Sequence, residues 1–239
     1  MGVVAALWRY PVKSMAGERL TEVAVGERGL DGDRLYAVHD PGGKFGSGKN
    51  STRFRRMPGL PAFAARYDGD VPVLTFPDGR VLRGDDGGVH AELAAALDFP
   101  GVRLVVEGEL PHHDEAAVHL VTTSSLAWLA ERTPGVALDE RRFRANLLLD
   151  TGPAPGLPEE AWVGERLRIG EVELEVLRKA VRCVMVGLPA GGLPAAPGLL
   201  KTISEVNGVT FGVQARVVRG GALRVGDVHE VGCSAPHTP

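Results

Sequence analysis

The 239-residue sequence predicts a mainly β fold with a few helices, a barrel or sandwich in preference to a doubly wound sheet. Three observations carry this reading. Short runs rich in Val, Leu and aromatics recur along the chain, turn residues separate them, and no strand–helix alternation repeats. Glycine contributes 32 residues and proline 17, well above their usual joint share of roughly 12%. They lie between apolar runs instead of in blocks, as turns do.

In the first half, strands are predicted over Val3 to Tyr10, Leu20 to Val25, Leu35 to His39, Val71 to Phe76 and Val102 to Val106. Gly29, Asp31-Gly32, Asp40 to Gly43, Asp78-Gly79 and Pro100-Gly101 bound them. Val89 to Leu97, alanine- and leucine-rich with no internal Gly or Pro, predicts a helix. Glu107 to Ala117 is polar, holds Pro111, His112 and His113, and reads as a linker or crossover. In the second half, His119 to Val121 is a short strand. Thr123 or Ser124 is placed to cap a helix from Ser125 to Arg132, stopped by Pro134-Gly135. Arg144 to Asp150 is a strand, and Leu167 to Ile169 with Val172 to Leu177 forms a hairpin around Gly170. After a loop from Gly191 to Gly198 come a helical turn, Leu200 to Val206, and a closing hairpin of Gly212 to Val218 with Leu223 to Val228.

Charge and cysteine content exclude several function classes. With 27 Lys plus Arg against 30 Asp plus Glu, the net charge of −3 argues against generic nucleic-acid binding. No run approaches the ~20 apolar residues of a membrane span, and Met1 to Tyr10 lacks a secretory-signal pattern. The expectation is a cytoplasmic protein with no nucleic-acid or membrane partner. Two cysteines, Cys183 and Cys233, cannot build a disulfide framework or a four-cysteine zinc site. Gly43 to Asn50 nearly matches a phosphate loop, but Asn50 lacks the hydroxyl that holds Mg²⁺, and Pro58 interrupts the required helix. The same region carries Lys44, Lys49, Arg53, Arg55, Arg56 and Arg66 with no acid between Asp40 and Asp68. It is either a solvated face or an anion site.

Three separated patterns occur in order: Arg9-Tyr-Pro-Val-Lys-Ser14 with Gly29-Leu-Asp-Gly-Asp-Arg34; Arg142-Phe-Arg-Ala-Asn146 with Trp162 and Ile169-Gly170; and Arg182-Cys183 with Leu200-Lys-Thr202, Phe211-Gly212 and Val225-Gly-Asp227. This set resembles the MOSC family (molybdenum cofactor sulfurase C-terminal domain) preceded by its β-barrel N-terminal domain, a family that includes the mitochondrial amidoxime-reducing component. The resemblance implies an N-terminal domain over residues 1–110 and a MOSC domain over 111–232. It also implies a molybdopterin-type molybdenum cofactor with Cys183 as the metal ligand or sulfur carrier. A thiolate is a soft ligand suited to a sulfur-rich centre, and the adjacent Arg182 favours the thiolate. Lys13, Ser14 and Arg34 match positions that hold the cofactor's phosphate end, while Arg144 and Asn146 match contacts to pterin and phosphate. Thr122, Thr123 and Ser125 match hydroxyl or backbone contacts, with helix capping as their other reading. Cys233 matches nothing.

The implied activity is reduction of N-hydroxylated small molecules with electrons from a separate electron-transfer protein. The alternative is a non-catalytic carrier of sulfur or cofactor on Cys183. The chain departs from the amidoxime reductases at Ala180-Val-Arg-Cys183, where they carry Cys-Ser-Arg-Cys, and in the Gly-, Pro- and Ala-rich loop from Gly187 to Gly198.

Overall fold

Alternation of inward and outward side chains builds the larger sheet. The computed structural model describes residues 2–113 and 115–232; Cys233 lies outside them. The N-terminal strands are β1 (Gly2–Arg9), β2 (Glu18–Leu20), β3 (Glu22–Gly26), β4 (Gly29–Leu30), β5 (Tyr36–His39) and β6 (Phe45–Ser47). They continue with β7 (Phe54–Arg56), β8 (Ala64–Asp68), β9 (Val71–Thr75), β10 (Val81–Arg83), helix α1 (Val89–Ala96) and β11 (Arg103–Val106). The second half holds β12 (Val118–Thr122), α2 (Thr123–Arg132), β13 (Leu147–Asp150), β14 (Arg166–Ile169) and β15 (Val172–Val181). Helix α3 (Leu199–Asn207), β16 (Thr210–Arg219), β17 (Gly221–Arg224) and β18 (Val228–Gly232) follow.

Seven strands close a barrel in the order β13-β12-β16-β15-β14-β18-β1, sealed by pairing of β1 with β13. All of its pairings are antiparallel except β12 with β13. Leu167 and Ile169, Val172, Leu174 and Val176, and Val213 and Ala215 point inward at every second position, joined by Val4, Leu7, Leu120, Leu147 and Leu149. A second core under the N-terminal sheets gathers Val38, Phe63, Leu74, Leu93 and Val102. A third lies outside the barrel, where α2 and α3 pack Leu129 and Ile203 against Phe143 and Phe211.

The two halves exchange strands. The N-terminal β1 is a stave of the C-terminal barrel, and β17 pairs with β3. This corrects the closing hairpin expected from Leu223 to Val228. Only Leu223 and Arg224 of that run lie in β17, which leaves β16 to join β3 and β4, while β18 returns to β14 and β1. The strand expected from Arg144 begins at Leu147, because Arg144 takes a left-handed φ of 54° at the end of a short 3-10 turn. Four short strands, β6, β7, β8 and β10, fall where the sequence shows no sustained apolar run.

Candidate functional site

The seam between the halves opens a cleft lined by Lys13, Ser14, Arg34, Arg144, Asn146, Arg182 and Cys183, together with Ser47, Lys49, His113, Glu115, His119, Met185 and Gln214. Seven of the sequence-predicted site residues therefore meet in one place.

The turn after β1 carries the first of them. Lys13 N donates to Tyr36 O (2.8 Å), and Ser14 adopts a φ of 68°. Asp33 accepts from Tyr10 N (2.8 Å), while Arg34, at φ 52°, donates its own N–H to Tyr10 O (2.7 Å). Ser14, Arg34 and Arg144 are three of the five non-glycine residues with positive φ among those described. Such conformations cost of order 1–3 kcal/mol each and persist where surrounding contacts over-determine them. Here those contacts are visible. The Arg34 and Arg144 guanidinium groups stack on the Tyr10 ring at 4.9 and 4.4 Å. Arg34 also donates to Arg144 O (3.0 Å), and Arg144 donates to Met15 O.

Behind Arg34, burial would raise Asp33, but Arg34, the neighbouring His113 and the hydrogen bond from Tyr10 N hold its carboxyl well below the usual range. Asp33 is thus a buried carboxylate neutralised by Arg34, with the His113 ring 3.5 Å away at Nε2. Burial drives His119 far below the ordinary imidazole value, and Arg182 and Arg34 push it further, so the ring is neutral at physiological pH.

The opposite wall comes from the end of β15. Arg182 N donates to Val209 O (2.8 Å), and the Arg182 side chain reaches Phe143 O (2.7 Å) and His119 Nε2 (3.3 Å). Cys183 then opens a 3-10 turn over Val184–Gly187 with extended backbone and a half-exposed side chain. Asn146 ties the walls together. Its Oδ1 accepts from His119 N (3.2 Å) and its Nδ2 donates to Trp8 O (3.3 Å), leaving one N–H and one oxygen lone pair for a ligand.

Thr122 and Thr123 do not reach this cleft, which corrects their expected cofactor contact. Thr122 is the N-cap of α2, accepting from Ser125 N (3.1 Å), and its hydroxyl donates to Glu159 (2.8 Å). Thr123 donates to Asp150 (3.1 Å), and Ser125 is fully buried against Glu159. Capping, their other reading, holds for Thr122 alone, one residue ahead of the cap expected at Thr123 or Ser124; Thr123 and Ser125 tie α2 to Asp150 and Glu159 instead. Sequence reasoning missed His113, His119, Met185 and Lys49 as lining residues. His113 and Lys49 each lay in a segment flagged as polar or basic, but His119 and Met185 gave no local signal.

The donor set suits a molybdopterin-type cofactor. Five basic side chains line the cleft against one acid, Glu115, which is itself paired with Arg178. Lys13, Ser14 and Arg34 are donors of the kind a phosphate end would need, and a soft sulfur donor, Cys183, borders the same space.

Comparison with known proteins gives the same direction. The model of the MOSC domain matches residues 107–230, and that of the MOSC N-terminal beta barrel domain matches residues 1–95. Molybdenum cofactor sulfurase from Drosophila grimshawi is 27% identical over 242 residues, covering 85% of this chain. The chain spans 30% of that relative's length. The crystal structure of the YuaD protein from Bacillus subtilis shares the fold at a TM-score of 0.54, covering 98% of this chain and 97% of that one at 12% identity.

Proposed function

Because the chain belongs to the MOSC-domain family, with the family's N-terminal β-barrel domain ahead of the MOSC domain, we propose that its cleft binds molybdopterin-type molybdenum cofactor for a redox reaction. The observation that carries this reading is the meeting of Cys183 with Lys13, Ser14, Arg34, Arg144 and Asn146 in one cleft. Cys183 supplies the sulfur ligand, Lys13, Ser14 and Arg34 hold the phosphate, and Arg144 and Asn146 hold the pterin. Arg182 braces the Cys183 wall through Phe143 O and His119.

When bound, the cofactor supplies oxygen-atom transfer. The reaction is reduction of an N-hydroxylated small molecule: the N–O bond breaks, oxygen leaves as water, a separate electron-transfer protein supplies two electrons and solvent two protons. The setting is the cytoplasm, with neither nucleic acid nor membrane as partner. Val181, more than half exposed where the reductases carry Ser, gives the approach to Cys183 an apolar edge.

The likeness to a molybdenum cofactor sulfurase favours a second reading, a non-catalytic carrier holding sulfane sulfur or cofactor on Cys183. Cys183→Ser separates the two. The fold should survive within about 1 kcal/mol, since the swap is nearly isosteric at a half-exposed site. Reduction of benzamidoxime by a chemical donor should fall at least about a hundredfold, because outer-shell partners of a metal ligand alone are worth 10–100-fold. Full activity in Cys183→Ser removes the ligand assignment. Persulfide on wild-type Cys183 without molybdenum selects the carrier.

A further inference from the structure

We propose that Lys49 anchors an anionic group of the substrate, so that the N-hydroxylated compounds this chain favours carry a carboxylate or a phosphate; the proposal rests on the reading of the cleft given above. Lys49 belongs to the glycine-rich segment that nearly matches a phosphate loop. No helix follows it: β6 ends at Ser47 and the chain returns as β7, parallel to β6. The segment is instead pressed onto the turn after Cys183. A Cβ at Gly48 would lie 2.5 Å from Met185 Sδ and 3.1 Å from Leu188 Cδ1, so the Gly48 backbone packs directly on the ends of these two side chains. That contact sets Lys49 in the wall of the cleft that Cys183 also lines.

The other cations of the cleft are already engaged. Arg34 pairs with Asp33, Arg144 donates to Met15 O, Arg182 to Phe143 O and Lys13 to His112 O (2.8 Å). Lys49 is half-buried, and no carboxylate among the described residues pairs with it; its ammonium stands 4.9 Å from the Phe54 ring centroid. A second anion, beyond the cofactor's phosphate, gains a charge-assisted bond there without breaking an existing one. Neutral substrates gain nothing from it.

The test uses molybdenum-loaded wild type, Lys49→Gln and Lys49→Arg. Each is assayed with benzamidoxime and with its para-carboxy and para-phosphonooxy derivatives, which distinguish the two anion types. The anionic-to-neutral ratio of kcat/KM should fall about ten- to a hundredfold in Lys49→Gln and recover in Lys49→Arg. A ratio unchanged in Lys49→Gln overturns the proposal. Calorimetric titration of the same proteins with para-carboxybenzamidine and with benzamidine gives a readout independent of turnover, and Lys49→Gln should lose the preference for the carboxylated compound. A Lys49-dependent preference in a protein that reduces nothing would sink the reductase reading and sustain the anion site. Active protein with equal preference in wild type and Lys49→Gln sinks the anion site alone.

Discussion

Single residues divide here into those that face the cleft and those that hold its walls. Glu159 is of the second kind. Fully buried, it accepts from Thr122 and Ser125 through one oxygen, while burial raises its carboxyl above the usual range against the pull of those two bonds. The native state therefore keeps a proton that the unfolded chain releases first. Stability should fall as pH rises from the ordinary glutamate value to the raised native one, then level off. Denaturant titrations across that window should show the slope in wild type and lose it in Glu159→Gln. An identical slope in both would assign it to other groups. The cleft residues most legible in the sequence were those in unusual local motifs: Lys13, Ser14, Arg34, Arg144, Asn146, Arg182 and Cys183. Thr122 and Thr123 misled because a hydroxyl at a helix start serves capping, as Thr122 does, or a bond to a neighbouring strand end, as Thr123 does with Asp150, as readily as ligand binding. His119 was hidden because nothing local distinguishes a buried strand histidine beside Arg182 from any other strand residue.

At the scale of elements, β12 and β16 fix the height of the cleft floor. Gly212 adopts a φ of 75°, and a Cβ there would lie 2.6 Å from Leu120 O and 2.8 Å from His119 Nε2. Gly212→Ala should cost at least about 1–3 kcal/mol from the backbone conformation alone, more once β12 is displaced, and urea denaturation would measure it. A variant as stable as wild type would show that β12 yields freely. Alternating apolar positions made β1, β14 and β15 readable, as did the helical run of α1. The short β6, β7, β8 and β10 were not readable, since glycine, serine and charged residues interrupt them and leave neither an apolar run nor a clear alternation. The β17–β3 pairing is a long-range event that local sequence does not encode, and the turn at Gly220 resembled a hairpin equally well.

For the whole molecule, the strand exchange means that a cut at residue 110 severs the barrel. Without β1, β13 and β18 have no common neighbour and the inward faces of Leu147 and Leu149 lose Val4 and Leu7. A fragment of residues 111–232 should fail to show a cooperative melt, and adding residues 1–10 through a linker at the barrel mouth should restore it; a cooperative melt of the bare fragment would show the barrel closing on its own. The mainly β class was legible from turn spacing, whereas the barrel's closure by the first strand was not, because pairing across more than a hundred residues leaves no local mark. The same exchange brings Lys13 and Arg34 against Asn146 and Cys183, and the central claim is that this junction is a cofactor site. Molybdenum and pterin content of freshly purified protein, compared with Arg34→Ala, tests it most directly. The account predicts molybdenum and pterin near one each per chain, with retention about ten- to a hundredfold weaker in Arg34→Ala, as expected for loss of a charge-assisted bond. Wild-type protein from a molybdenum-replete host carrying neither, or an Arg34→Ala variant holding both as tightly as wild type, would contradict it.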